Sequence, residues 1–171
     1  HGEYYHKDSI KLDEKLKVKT LLKGREVYGG GGVMPDVFVA LDTTDVTPYY
    51  TQLIRKGAIY QFATRYMNAN REQLMKKYQN IDSFIKDFKM DDKFMQSFFD
   101  YAADEHEIAF VEEDYKISKK TLQMYMKAYI GQNLYAPSAF YRISNEGNEI
   151  LQRGIQILQS NEYKEAGLDN K

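Results

Sequence analysis

At 171 residues, with 43% hydrophobic and 14% aromatic side chains, the chain can bury one sizeable core, or a core plus a small appendage. Lys and Arg number 24 against 25 Asp and Glu, a formal net charge of −1, so no long-range field draws it to nucleic acid or to an anionic membrane surface. The absence of cysteine excludes disulfides, thiol nucleophiles and Cys-based zinc sites, and no apolar run approaches the roughly 20 residues that cross a bilayer.

The start His1-Gly2-Glu3 is neither an initiator Met nor a signal peptide, so the chain is expected to begin inside a longer protein. His1 to Lys15 is polar and aromatic without periodicity and reads as a connector. Leu16-Lys17-Val18-Lys19-Thr20 then alternates apolar and polar, and Glu26-Val27-Tyr28 follows Lys23-Gly24-Arg25, which predicts two short strands around a turn. A third extended run is predicted at Val37-Phe38-Val39-Ala40-Leu41.

At Thr47-Pro48 the period changes from two to about 3.6, with a capping side chain followed by proline at the first helical position. One long helix is predicted from there, its apolar stripe running through Tyr50, Leu53, Ile54, Phe62, Ala63 and Tyr66. Further helices are predicted from Asp82 to Phe88, Asp91 to His106, Ser118 to Leu134 and Asn145 to Gln159, each opened by Asp, Ser or Asn as a cap. The face of Phe94, Phe98, Phe99 and Ala102 is expected to pack against that of Leu122, Tyr125, Met126, Tyr129 and Ile130. The fold class is therefore α+β: a short β segment over residues 1–46, followed by a mostly α-helical region over 47–171.

The most unusual local sequence runs from Gly24 to Val37: Gly24-Arg25-Glu26-Val27-Tyr28-Gly29-Gly30-Gly31-Gly32-Val33-Met34-Pro35-Asp36-Val37. Four consecutive glycines cost more backbone entropy than any other choice, and suit a tight crossing or a mobile loop; Pro35 then biases Met34 toward extended geometry. The pattern of Gly24, Arg25, Gly29, Gly30, Gly31, Gly32, Pro35 and Asp36 resembles a signature of the C-terminal processing (tail-specific) serine peptidases, in a Bacteroidetes-like form. Ala128-Tyr129-Ile130, Ala139 to Ile143 and Ile150 to Ile155 look like the helical tail of that family, whereas residues 71–119 resemble nothing in it.

That resemblance implies a parent enzyme that cleaves polypeptides near their C termini with a Ser/Lys dyad lying upstream of the matching region. The chain has neither a Ser-Ala dipeptide followed by an acidic helix nor a Gly-Lys-Gly turn, so no catalytic residue is carried over and the chain alone is expected to be inactive. The motif residues are assigned a structural role, completing the core fold near the active-site lysine's loop. The resemblance further implies the upstream peptidase core and a polypeptide substrate as partners, and a periplasmic or envelope location in a Gram-negative bacterium. Unpaired strand edges predict some self-association of the isolated segment. A non-catalytic helical module that binds or regulates a partner is the alternative.

Other constellations point to no cofactor and no metal. Ser118 lies beside Lys119 and Lys120, but helical neighbours point about 100° apart, so Ser118 reads as a helix cap. His106-Glu107 opens a zinc-helix motif whose second histidine is Phe110. Val33-Met34-Pro35 after the glycines replaces the Lys and Ser or Thr of a phosphate loop. The acids Asp104, Glu105, Glu107, Glu112, Glu113 and Asp114 read as a solvated face, His1, Glu3, His6 and Asp8 as terminal polar residues, and most of the 15 Tyr and 9 Phe as core.

Overall fold

Two three-residue strands and eight helices make up the regular structure in a computed structural model, which describes residues 13–22, 24, 26–29 and 35–165. The chain is a short antiparallel hairpin followed by a mostly helical region. It forms two compact units, one of His1–Asp42 with Glu149–Lys171, the other of Thr43–Asn148.

In the first unit, Asp13 accepts from the backbone N–H of Lys15 and caps a 3₁₀ turn over Glu14–Leu16. Strands β1 (Lys17–Lys19) and β2 (Glu26–Tyr28) pair with Lys17 opposite Tyr28, Val18 opposite Val27 and Lys19 opposite Glu26. The third predicted strand does not form: Val37 to Leu41 have no ladder partner among the described residues. Extended propensity alone does not make a strand when no neighbour supplies the hydrogen bonds. The same unit carries α7 (Glu149–Gln159) and α8 (Glu162–Glu165), joined by a bidentate Arg153–Glu162 pair whose closer contact is 2.5 Å. That guanidinium holds the Glu162 carboxyl below its usual range.

The second unit opens with α1 (Pro48–Arg55), whose predicted start is correct: Thr47 Oγ1 accepts from the Tyr50 N–H, with Pro48 at the first helical position. The single long helix is broken, however. Gly57 takes φ of 69°, a left-handed geometry open to glycine, and separates α1 from α2 (Ala58–Lys77). Helix α3 (Ile81–Asp87) is capped by Asn80 rather than Asp82, through a reciprocal box in which Asn80 Oδ1 accepts from the Ser83 N–H at 2.9 Å. Asp91 caps α4 (Asp92–His106) as predicted.

Helix α5 (Glu112–Leu134) starts six residues before the predicted Ser118 cap. Three acids in its first turn, Glu112, Glu113 and Asp114, favour the positive end of the helix dipole and mark the true start. The helix predicted from Asn145 ends at Gln159 as expected but starts later: an unpredicted α6 (Pro137–Ser144) runs into a 3₁₀ turn over Asn145–Gly147, and the next helix begins at Glu149.

The core of this unit is aromatic. Phe62 on α2 meets the rings of Phe94 (5.5 Å) and Phe98 (5.2 Å) on α4, edge to face, a geometry worth about 0.5–1.5 kcal/mol per pair beyond area burial. Phe98, Leu122, Met126 and Ile130 are fully buried. The two predicted apolar faces share this core, joined through α2 and, at one end, by the rings of Phe99 and Tyr115.

Candidate functional site

Two residues of the glycine signature, Gly24 and Gly29, sit on the hairpin. Gly24 has φ of 61° and its N–H donates to the Thr20 carbonyl at 3.0 Å, closing the turn between the strands; a residue with a Cβ would be strained there. After β2, the Gly29 N–H donates to the Leu16 carbonyl at 2.7 Å. Pro35 and Asp36 follow without regular structure. Arg25, Gly30, Gly31 and Gly32 lie outside the described residues.

Register gives the hairpin two unlike faces, because cross-strand partners share a side. Lys17, Tyr28, Lys19 and Glu26 share one. Lys17 Nζ stands 2.9 Å from Glu26, and the Tyr28 hydroxyl donates to Glu14 at 2.9 Å; these contacts raise the pKa of Lys17 and of Tyr28. The opposite face carries the Val18–Val27 pair, which is 52% and 39% exposed, and Leu16 is 47% exposed. A two-stranded ribbon with an uncovered apolar face is marginal in water.

Among the described residues no hydrogen bond joins a serine hydroxyl to a lysine amine. Ser118 is fully buried inside α5, not at its start, and its hydroxyl donates to the Asp45 carbonyl at 2.7 Å. Its single proton being spent there, Thr47 must donate to Ser118 across their 2.7 Å contact while accepting from Tyr50. Thr121 donates to the Asp45 carboxylate beside it. This relay clamps the loop before α1 onto α5. Lys127 has its amine pushed below the usual range, by burial first and by Lys89 second, and it donates to the Ile85 carbonyl.

The remaining candidates separate in space. His106 ends α4 and Glu107 turns left-handed at φ of 53°, so the zinc-motif spacing is not helical. No cluster of three His, Asp or Glu side chains suited to a metal occurs among the described residues, and His1, Glu3, His6 and Asp8 lie outside them. The predicted acidic face divides: Asp114 leaves it to accept from the Tyr49 N–H at 2.9 Å, neutralising the start of α1. The Tyr49 hydroxyl is buried without a hydrogen-bond partner, and burial pushes it up to about 12.

Two features went unseen in the sequence. One is the Asp45–Thr47–Ser118–Thr121 clamp, whose partners lie more than 70 residues apart; the other is an open cleft between α2 and α4. Compared with known proteins, residues 49–136 match the profile of a family of unknown function, DUF8443. No curated protein matches, and no solved structure matches.

Proposed function

The chain belongs to DUF8443, a family of unknown function, and we propose, on the resemblance of the Gly24 to Asp36 sequence and not on that family, that it is the C-terminal, non-catalytic portion of a serine-type processing peptidase that hydrolyses polypeptides near their C termini. The observation that carries this reading is that Gly24 and Gly29 of the signature lie at the turn and the end of a hairpin whose apolar face, Val18 with Val27, is uncovered. A hairpin of that kind is completed by further strands. The upstream peptidase core of the parent chain supplies them, along with the nucleophile and base, in the periplasm or envelope of a Gram-negative bacterium. The helices of 43–148 form the appendage that follows.

A second reading, a helical module that binds a partner, draws on one surface. Tyr60 and Tyr141, 44% and 64% exposed, flank Tyr129 and Phe140 in a chain of ring contacts of 5.2, 5.1 and 5.6 Å. Amide hydrogen exchange separates the two. On adding the upstream core, the Val18 and Val27 amides are expected to gain at least tenfold protection; unchanged exchange there, with new protection around Tyr60 and Tyr141, supports the binding module instead.

A further inference from the structure

The hairpin turn exposes two leucines side by side. The Gly24 N–H closes the turn on the Thr20 carbonyl at 3.0 Å, and Leu21 and Leu22 between them are fully exposed. Turns favour Gly, Asn, Asp and Ser, and a single apolar residue on a surface is ordinary; an adjacent pair that packs against nothing is not. Neither leucine serves the ladder, which ends at the Lys19–Glu26 pair, so covering Val18 and Val27 does not by itself cover the tip.

The sequence flanking the tip carries one sign of charge. From Lys15 to Arg25 there are five cations, Lys15, Lys17, Lys19, Lys23 and Arg25, with no acid among them. The acids on either side are engaged: Asp13 caps the 3₁₀ turn, and Glu14 and Glu26 stand 3.8 and 2.9 Å from Lys17. The whole chain, at −1, has no long-range field, but a local cluster acts within the Debye length of about 10 Å at 0.1 M salt.

We infer that the tip is an anchor for an anionic lipid surface: Leu21 and Leu22 enter the boundary between headgroups and acyl chains, and the lysines beside them take the lipid phosphates. Protein interfaces are depleted in Lys and anchored by Trp, Tyr and Arg, with Leu under-represented among the residues that carry the energy. Leucine set among lysines is instead the composition of segments that lie on membranes. The spacing agrees. Lys19, which is exposed, stands two residues from Leu21, about 7 Å of extended chain, so its amine stays at headgroup depth when the leucine sinks about 5–10 Å. This assignment does not rest on the peptidase reading.

The test is co-sedimentation of the full chain with vesicles of phosphatidylcholine, alone or with about 30% phosphatidylglycerol, at about 0.1 M salt. Binding to the anionic vesicles is expected to be at least tenfold tighter than to the neutral ones. Leu21→Ser with Leu22→Ser, and separately Lys19→Gln with Lys23→Gln, are each expected to weaken it at least fivefold while the helical circular dichroism stays unchanged. The sequence has no tryptophan, so Leu22→Trp reports insertion through a blue shift of its emission on anionic vesicles. No binding to anionic vesicles, equal binding to neutral ones, unshifted emission, or binding undiminished in either double variant would overturn the assignment. So would self-association of the chain that the serine variant abolishes, which would make a second copy the occupant of the tip.

Discussion

Replacing Phe98 by alanine is expected to cost the Thr43–Asn148 unit about 3–5 kcal/mol, close to the whole stability of a small domain. Phe98 is fully buried and meets Phe62 and Phe99 at 5.2 and 6.0 Å, so truncation leaves a cavity lined by rings too rigid to collapse into it. Urea unfolding followed by circular dichroism measures the loss. Tyr141→Ala, at a position 64% exposed, serves as the reference and is expected to stay within about 1 kcal/mol of the parent chain. Equal effects of the two would contradict the aromatic core.

Ser118→Ala is expected to be the second most damaging single change, at about 1–3 kcal/mol for buried partners left unmatched. The Asp45 carbonyl loses its donor and Thr47 its acceptor, both beside the start of α1. Thr47→Ala removes the cap and the other half of the relay. The two losses are therefore expected to be less than additive, with a coupling of about 0.5 kcal/mol or more in a double-mutant cycle. Strict additivity would mean that the hydroxyls act separately. Had Ser118 capped its helix, as the sequence suggests, alanine there would have left Asp45 and Thr47 untouched.

Local chemistry explains which elements were legible. Thr47-Pro48 and Asp91 announce helix starts because each places an acceptor three residues before a backbone N–H, and both act as read. Gly57 hid the break between α1 and α2, since the apolar period continues on either side of it. Ser118 misled for the opposite reason: a serine before two lysines looks like a cap, while the stronger signal lay in Glu112, Glu113 and Asp114.

The site was legible only in part. Alternation predicted β1 and β2, and with them the turn at Gly24, because those contacts are local. The cleft was not, since its walls come from residues 65–70 and 97–105 and meet only when α2 packs on α4. The Asp45–Ser118 clamp is likewise long-range, and no single-sequence pattern marks it.

The most direct test of the central claim is hydrolysis of an unstructured polypeptide with a free C terminus, by this chain alone, by the upstream peptidase core alone, and by the two together. Activity is expected only with the core present, and highest when both are. Hydrolysis by this chain alone would contradict the non-catalytic assignment, and a core whose activity is unchanged by adding the chain would contradict its completing role.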